Sequence, residues 1–421
     1  MAENKKIIKP DGDQIIFDAN GIKVPERPII PYIRGDGIGP EIWEATRQVL
    51  DVAVQRAYGT RRSIAWLEVY AGIGAVARYG ENVLLPDDTL DAIRRYKVAI
   101  KGPLATPVGG GTRSTNVALR QKLDLYANVR PVNYLPGLPS PLKTPEKVNV
   151  VIFRENLEDV YAGYEWPAES AEARQIIDLI NNRFSPERDP LSEKAAIGIK
   201  PVTRRGCERL VRAAINYARM KKRASVTLVH KGNIMKFTEG AFRQWGYALA
   251  REEFGQLTIT EQEVAEQFNG RAPQGKIVIQ DRIADAMFQE LILRPEQHAV
   301  IATTNLNGDY LSDAAASLVG GLGFAAGANF GDELALFEAV HGTVPHLAGQ
   351  NIANPSSLIL SGTEMLQHLG WGEAADLICD ALPKLIARNQ VTADVARWLP
   401  GVVPLSCSAF ADKLKNVIQS S

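Results

Sequence analysis

The chain has 421 residues, a length typical of about two or three domains with a sizeable hydrophobic core. Its 48 basic and 48 acidic residues leave no net charge, so the composition gives no reason to expect binding to nucleic acid or to a membrane surface. No signal peptide or membrane span is expected, because the N-terminal lysines precede no apolar stretch and the uncharged residues 314–331 are rich in glycine.

β-rich runs alternate with helical patterns along the chain. Strands are expected at residues 28–33, 98–103, 148–153, 225–230, 276–279 and 298–304, and one helix at 40–57. A second helix before residue 225 has one apolar face, formed by Leu210, Val211, Ala214, Ile215 and Ala218. This alternation predicts an α/β fold with a largely parallel sheet covered by helices. Residues 159–203 are irregular and rich in aromatic, proline and charged residues, which indicates an inserted subdomain.

The first of these strands leads into a glycine loop, GDGIGP, at residues 35–40. Its GxGxGP spacing differs from the GxGxxG fingerprint of dinucleotide-binding folds, and no acidic residue obviously plays the ribose-binding part. A standard Rossmann site is therefore not expected.

A second glycine-rich segment, GPLATPVGGGTRSTNVALRQ, spans residues 102–121. Ser114 can cap a helix that continues through Asn116 and Arg120, and a helix N-terminus beside an arginine favours a carboxylate ligand. For Ser114 alone, an N-cap without any ligand is the commoner explanation.

Two more arginines and two proton-transfer candidates lie at or near the ends of predicted elements. Arg130 lies in NVRPVNY and Arg154 in IFRENLEDVYAGYEW, and a guanidinium matches a carboxylate well. Tyr161 follows the Arg154 strand, and Lys231, after the strand SVTLVH, can act as a base when cations surround it. Each residue alone is also explained as a surface or strand-end side chain, whereas together they indicate a pocket for a small polyanion.

Three aspartates form the clearest candidate metal site: Asp285 in DRIADAM, and Asp309 and Asp313 in NLNGDYLSD. Each group follows a predicted strand and opens a helix, so we expect the carboxylates at strand ends, where open α/β sheets carry their sites. Asp309 and Asp313 share one helix face, and carboxylate oxygens suit Mg²⁺ or Mn²⁺ better than zinc. The alternative is that the helix dipole alone favours aspartates there.

The three cysteines, Cys207, Cys379 and Cys407, form no CxxC motif and no Cys/His pattern with metal-ligand spacing. They indicate reduced thiols in a cytoplasmic protein.

Five motifs together resemble the bacterial-type homodimeric isocitrate dehydrogenases of the β-decarboxylating dehydrogenase family: GPLATPVGGGTRSTNVALRQKLDLY, VIFRENLEDVYAGYEW, LVHKGNIMKFTEGAF, NLNGDYLSD and FEAVHGTVPHLAGQNIANPSS. The resemblance implies the isocitrate/isopropylmalate dehydrogenase-like fold, with a cofactor site unlike the Rossmann one. Its parts would be a large α/β domain (1–125 and 320–421), a small α/β domain (126–158 and 204–319) and a clasp (159–203) that interlocks two subunits.

The implied reaction, a step of the tricarboxylic acid cycle, oxidises isocitrate by hydride transfer, releases carbon dioxide and reprotonates the resulting enol. Mg²⁺ or Mn²⁺ would act as a Lewis acid at Asp309, Asp313 and the partner subunit's Asp285. Lys231 of the partner subunit would take the hydroxyl proton, and Tyr161 would protonate the enol. The resemblance assigns the substrate to Ser114, Asn116, Arg120, Arg130, Arg154 and Asn233, and the cofactor to Thr106, Arg294, His341, Gly342, Thr343, His346, Asn354, Ala393 and Arg397.

Sister enzymes of this family act on isopropylmalate, homoisocitrate or tartrate. An isopropyl group needs large apolar side chains around it, whereas Ser114 and Asn116 can hydrogen-bond a third carboxylate, so isocitrate is favoured. An alternative of another class is a non-catalytic regulatory subunit. Such a chain is expected to lack metal or proton-transfer groups, yet Tyr161, Lys231 and the three aspartates are all present.

The cofactor loop departs from the pattern of the NADP-using relatives. Their lysine and tyrosine are replaced by His346 and Leu347, and a second tyrosine by Ala393, yet the aspartate of NAD-using relatives is also missing. The remaining cations are Arg397, Arg294 (reaching over from the other subunit) and a pH-dependent charge on His346. They predict NADP with weaker discrimination than usual, and NAD stays the alternative. Ser114 also matches the serine that is phosphorylated in enterobacterial relatives.

Overall fold

A computed structural model describes residues 7–18, 21–80, 83–105 and 114–420 of the chain. The strands of this part are β1 (Ile16–Asp18), β2 (Gly21–Lys23), β3 (Ile29–Ile33), β4 (Ala65–Glu68), β5 (Val98–Lys101), β6 (Ala127–Asn133), β7 (Asn149–Glu155), β8 (Glu165–Trp166), β9 (Ile197–Gly198), β10 (Ser225–His230), β11 (Thr258–Thr260), β12 (Ile277–Ile283), β13 (Val300–Thr303), β14 (Ala326–Phe330) and β15 (Ala335–Ala339).

The α-helices of the same part are α1 (Gly39–Tyr58), α2 (Ile73–Tyr79), α3 (Asp87–Tyr96), α4 (Thr115–Lys122), α5 (Ala171–Leu179), α6 (Arg204–Met220), α7 (Glu239–Phe254), α8 (Glu261–Gln267), α9 (Ala284–Leu293), α10 (Asn305–Ser317), α11 (Ser356–His368), α12 (Gly372–Ala387), α13 (Ala393–Ala396) and α14 (Cys407–Ser420). None of the helices in the described ranges combines the length and the apolarity needed to cross a bilayer.

One eleven-stranded sheet runs through the molecule, in the order β11-β12-β10-β13-β7-β6-β14-β15-β5-β3-β4. Neighbouring strands pair in parallel except where β6 or β14 takes part, and those pairs are antiparallel. The predicted α/β fold with a largely parallel sheet is therefore confirmed. The six expected strands correspond to β3, β5, β7, β10, β12 and β13, and the expected helix at 40–57 corresponds to α1.

Helices cover both faces of the sheet. One hydrophobic cluster joins α1, α11, α12 and α14, and thus combines residues from both ends of the chain. On the other half of the sheet, the predicted apolar face of α6 is fully buried against β7, β10 and β13. α9 and α10 pack with β7, β10 and β13 in a further cluster, which fixes the helices that carry the three aspartates.

Residues 159–203 are more regular than the sequence suggested. They contain helix α5, which continues into a π-helical turn at Ile180–Phe184, and the antiparallel pair of β8 and β9. The two strands form a sheet of their own, separate from the eleven-stranded one.

The GDGIGP loop brings three segments of backbone together. Gly37 has a φ of 57°, and a Cβ atom there would come within 2.0 Å of the Thr343 carbonyl oxygen. The neighbouring Ile38 N–H donates to that oxygen at 3.0 Å, and the Asp36 N–H donates to Pro103 O at 2.7 Å. Glycine is therefore required because the loops that follow β5 and β15 approach it closely.

Candidate active site

A cavity of ≈330 Å³ opens where β5 and β15 end and α4 begins. Six residues expected to bind substrate or cofactor line it: Asn116, Arg120, Arg130, His341, Gly342 and Thr343. They come from three separate parts of the sequence, and the parallel pairing of β5 with β15 helps to bring the parts together. The remaining wall is formed by Lys101, Pro103, Leu104, Glu338, Ala339 and Val340.

A buried ion pair forms the floor of this cavity, and sequence reasoning missed it. Lys101 Nζ lies 2.6 Å from Glu338 Oε2, and Arg120 Nη2 donates to Glu338 Oε1 at 2.8 Å. Burial opposes ionisation of Glu338, but Lys101 and Arg120 hold the pKa of its carboxyl well below its usual range. The sequence feature that could have indicated this pair is a charged residue in each of two otherwise apolar strands, VAIK and ALFEA.

Arg130 and Arg154 lie on the antiparallel strands β6 and β7 and point towards α10. Arg130 Nη1 donates to Asp313 Oδ1 at 3.0 Å, while Arg154 pairs with Asp309 and donates from Nε to Asn305 Oδ1 at 2.9 Å. Burial, and then the neighbouring Arg130, lower the pKa of Arg154 to about 10, so its guanidinium still carries a charge at neutral pH. The guanidinium ions thus form a positive region beside two carboxylates.

Asp309 and Asp313 lie within α10, one and two turns beyond its start, rather than at a strand end as expected. Their shared helix face is confirmed, because both lie within 4.0 Å of the Arg130 guanidinium. Burial raises the pKa of Asp313. For Asp309 burial acts in the same direction but is outweighed by Arg154 and the hydrogen bond from Tyr161, which lower the pKa.

The donor set of these aspartates fits a hard cation. Mg²⁺ commonly uses one or two protein carboxylates and takes its other ligands from water and substrate. Asp309 and Asp313 supply such a pair of carboxylates. Within the described residues, no three Asp, Glu, His or Cys side chains gather around one point, so Asp285 of the same chain does not complete the set.

Tyr161 lies in a turn directly after β7 and faces the same aspartate. Its hydroxyl donates to Asp309 Oδ2, and the Arg154 guanidinium lies 4.9 Å from the centre of its ring. Burial, followed by the hydrogen bond to Asp309, raises the pKa of Tyr161 to about 12. The phenol therefore keeps its proton at neutral pH.

Lys231 lies elsewhere, in the turn after β10. Its Nζ pairs with Asp285, the second residue of α9, and Asn233 lies exposed in the same turn. The ion pair with Lys231 lowers the pKa of Asp285. The sequence predicts cations around Lys231. Within one chain, the charged group next to its ammonium is instead the Asp285 carboxylate.

The cofactor candidates line two regions. In the cavity, His341 Nδ1 donates to Gly342 O at 2.9 Å, and burial lowers the pKa of His341, which leaves a neutral ring. His341 Nε2 and Asn116 Oδ1 are buried, and neither has a hydrogen-bond partner among the described residues. These two acceptors fit a ligand that carries N–H groups, such as a carboxamide.

The second region lies around α13. Ala393 begins this helix, and Arg397 follows its end with the guanidinium 5.3 Å from the Trp398 ring. Asn354 donates from Nδ2 to Asp394 Oδ2 at 2.9 Å. His346 is exposed in the turn Pro345–Leu347.

Three further candidates complete the set. Arg294 follows α9 and pairs with Glu290 of that helix at 3.5 Å, so within one chain it lies beside the helix that carries Asp285. Ser114 occupies the N-cap position of α4. The prediction that it caps the helix was wrong in one respect, because its hydroxyl accepts no hydrogen bond from a backbone N–H of the first helical turn. Thr106 lies outside the described residues.

Comparison with known proteins gives a consistent result over the full length. The sequence pattern of the isocitrate/isopropylmalate dehydrogenase family matches residues 29–414. The NADP isocitrate dehydrogenase of Haloferax volcanii is 52% identical over 421 residues, which is 100% of this chain and 99% of that protein. The corresponding enzyme of Pseudomonas aeruginosa is 52% identical over 415 residues, with 98% and 99% covered. The crystal structure of isocitrate dehydrogenase from Methylococcus capsulatus superposes with a TM-score of 0.74 at 39% identity, over 93% of this chain and 99% of that one.

Proposed function

Because the chain belongs to the isocitrate/isopropylmalate dehydrogenase family, we propose that it oxidises and decarboxylates isocitrate to 2-oxoglutarate and carbon dioxide with reduction of NADP. The observation that carries this proposal is a cluster of three arginines: Arg120 and Arg130 line the cavity, and Arg154 meets Arg130 at Asp309. Asp313 lies beside them, paired with Arg130. A tricarboxylate offers one carboxylate to each guanidinium and keeps its hydroxyl free for a metal. Asn116 in the cavity wall and Ser114 before α4 supply further polar contacts.

The roles of the chain's own groups follow from this placement. The buried arginines bind and orient the carboxylates of the substrate, and desolvation strengthens their attraction. A bound Mg²⁺ or Mn²⁺ supplies Lewis acidity at Asp309 and Asp313. Tyr161 holds a proton on its phenol oxygen at neutral pH and can deliver it to the carbon that loses carbon dioxide. Asn233, in the turn that carries Lys231, supports the substrate next to the base.

The site is shared between two copies of the chain in a homodimer. The reason is that Lys231 and Asp285 pair with each other and contact neither Tyr161 nor the arginines among the described residues. In the dimer, Lys231 of the partner subunit takes the hydroxyl proton and the partner subunit's Asp285 completes the metal carboxylates. The segment 159–203 with its separate two-stranded sheet serves as the clasp.

Mixing two inactive variants tests this sharing. Tyr161→Phe and Lys231→Met chains, dissociated and reassociated together, form mixed dimers with one intact site of two, so activity returns to about a quarter of wild type. The same mixture without reassociation is the control. A mixture that stays inactive after mixed dimers are demonstrated contradicts the shared site.

His341, Gly342 and Thr343 in the loop after β15 would hold NADP, and Asn354, Ala393 and Arg397 would supply further contacts. Arg397 offers a fixed positive charge to the 2′-phosphate, and Arg294 of the partner subunit adds a second. Thr106 and His346 are proposed on resemblance alone. The large domain comprises residues 1–125 and 320–421 and the small domain 126–158 and 204–319, a division supported by the cluster that joins both chain ends. A cytoplasmic location agrees with three free cysteines.

A substrate comparison tests the function against its alternatives. The purified chain should show the highest kcat/KM with isocitrate, because Asn116 and Arg120 in the cavity wall can bind a carboxylate that isopropylmalate lacks. Isopropylmalate or homoisocitrate as the better substrate would place the chain among the sister enzymes. No turnover with any of them would favour the non-catalytic subunit.

A further inference from the structure

A buried ion triad joins the two segments that carry the proton-transfer groups. Lys200 Nζ lies 2.6 Å from Asp159 Oδ1 and 2.9 Å from Glu239 Oε1. Asp159 is 1% exposed and Glu239 is fully buried, while the Lys200 side chain is 16% exposed. In the described part of the chain, no other Lys, Arg or His side-chain nitrogen forms an ion pair with either carboxylate within 4.0 Å. Lys200 alone therefore compensates two buried negative charges.

The Asp159 carboxylate fixes the turn that presents Tyr161. Its Oδ1 accepts from the Val160 N–H at 2.7 Å, and its Oδ2 accepts from the Leu306 N–H, in the first turn of α10, at 3.1 Å. The Asp159 N–H donates to Pro201 O at 2.9 Å, next to Lys200. Asp159 also has a φ of 71°, a left-handed conformation that costs energy in a non-glycine residue and persists only when its surroundings impose it.

The Glu239 carboxylate fixes the turn that presents Lys231. Its Oε2 accepts from the Lys231 N–H at 2.9 Å and from Asn307 Nδ2 at 2.7 Å. Asn307 lies in the first turn of α10, beside Leu306, so both carboxylates reach the same end of the helix that carries Asp309. The triad thus contacts the Tyr161 turn, the Lys231 turn and the metal-site helix at once.

We propose that Lys200 is a positioning residue for proton transfer, whose ammonium holds the Tyr161 turn and the Lys231 turn in fixed relation through Asp159 and Glu239. This inference rests on the proposed function, in which Tyr161 serves the site of its own chain and Lys231 the site of the other. The triad therefore connects the two active sites of a dimer, and a displacement of either turn is transmitted to the other site.

Removal of the Lys200 ammonium should disturb both turns. Without Lys200, two buried carboxylates face each other uncompensated, and a buried charge that loses its partner destabilises its surroundings strongly. The carboxylates then move apart, and each takes its own turn with it through the backbone N–H groups that it accepts. The substrate-binding arginines lie on α4, β6 and β7, and Lys200 contacts none of them among the described residues.

The first test measures the turns directly, without substrate or cofactor. In Lys200→Met, amide hydrogen exchange at Val160, Leu306 and Lys231 should accelerate at least about tenfold, because these N–H groups donate to the triad. Lys147→Met is the matched control, since it breaks the exposed pair of Lys147 with Glu296 and should leave those amides unchanged. Unchanged exchange in Lys200→Met overturns the inference whatever reaction the enzyme catalyses.

The second test separates positioning from general stability. Lys200→Met should lower kcat about 10–100-fold, as a misplaced catalytic group does, with little change in KM for isocitrate. The rate at which the methylene hydrogens of 2-oxoglutarate exchange in D₂O, which requires enol protonation, should fall together with kcat. Lys200→Arg should retain most activity. The double variant Lys200→Met/Glu239→Gln, whose triad has the wild-type net charge, should regain part of the lost kcat.

Three outcomes decide the inference. A Lys200→Met enzyme with wild-type kcat overturns it, and so does a loss of kcat that the double variant deepens rather than relieves. If Lys200→Met does not fold, the Lys200→Arg and double variants still decide, because both must be active for the inference to hold. A wild-type chain that does not oxidise isocitrate overturns the proposed function alone, and the exchange measurement then still tests the triad.

Discussion

The Tyr161 hydroxyl donates a hydrogen bond to Asp309, the same carboxylate that receives the Arg154 guanidinium. The proposed proton donor and a proposed substrate-binding arginine therefore meet at a carboxylate of the proposed metal site. Burial and this hydrogen bond raise the pKa of Tyr161 to about 12, so the phenol remains protonated throughout the neutral range. The proposed general acid is thus held in its protonated form.

Tyr161→Phe removes the proton and leaves the ring under Arg154. We expect overall turnover to fall roughly 10²–10⁴-fold, as for a lost general acid, with isocitrate affinity much less affected. Steady-state kinetics and isocitrate binding by calorimetry measure the two effects. Tyr164→Phe is a control, because Tyr164 is exposed and should be dispensable. A variant that changes only the apparent affinity would make Tyr161 a binding residue.

Asp309→Asn removes one charge from the proposed metal site while keeping the shape of the side chain. Affinity for Mg²⁺ or Mn²⁺ should weaken by more than the roughly 10–100-fold that loss of a supporting group costs, and most activity should disappear. Circular dichroism should show an intact fold, with a lower melting temperature because Arg154 loses its ion-pair partner. Asp91→Asn, at an exposed aspartate paired with Arg94, is the control. Full activity in Asp309→Asn, or in excess chelator, would contradict the metal site.

Glu338 predicts a pH dependence of stability whose sign follows from its depressed pKa. Its contribution is complete above the ordinary glutamate pKa of about 4.3 and is lost as the pH falls from there towards the lower folded-state value. Glu338→Gln should therefore be less stable at pH 7 by about 3–5 kcal/mol, since Lys101 stays buried without its partner. The difference from wild type should shrink in acid.

Urea unfolding at neutral pH and in acid measures this difference. Glu333→Gln, which breaks the exposed pair with Lys97, should change stability little at either pH. A Glu338→Gln chain as stable as wild type at neutral pH would show that the Lys101 pair contributes nothing.

Arg397→Ala tests the cofactor end of the site. A charge-assisted hydrogen bond to the 2′-phosphate is worth about 1.5–3 kcal/mol, so the NADP to NAD ratio of kcat/KM should fall about 10–100-fold while NAD kinetics stay constant. Arg388→Ala, at the C-terminal end of α12, serves as the control. If the wild type prefers NAD and Arg397→Ala leaves that preference unchanged, the phosphate site lies elsewhere.

Sequence patterns predicted those parts of the structure best in which burial or function imposes a regular spacing of residues. The buried face of α6, the boundaries of β10 and the shared face of Asp309 and Asp313 all follow from periodicity, and the structure confirms each of them. The spacing of GDGIGP gives no reason to expect a standard Rossmann site, but it does not predict the close approach of Gly37 to Thr343, which is distant in the sequence.

Interactions between distant segments could not be predicted in this way. Glu338 lies opposite Lys101 only because β15 and β5 pair in parallel in one particular register. Lys200 lies in the segment 159–203, for which the sequence predicts irregular structure, and no neighbouring residue indicates that Asp159 and Glu239 meet there. Such pairs depend on tertiary packing, which neither propensity nor spacing encodes.

Quantifying all products of one reaction with the purified wild-type chain, isocitrate, Mg²⁺ and NADP tests the proposed reaction directly. We expect equal amounts of NADPH, carbon dioxide and 2-oxoglutarate, and no reaction when Mg²⁺ is chelated. Absence of NADPH formation with isocitrate, or NADPH formed without carbon dioxide, would contradict it.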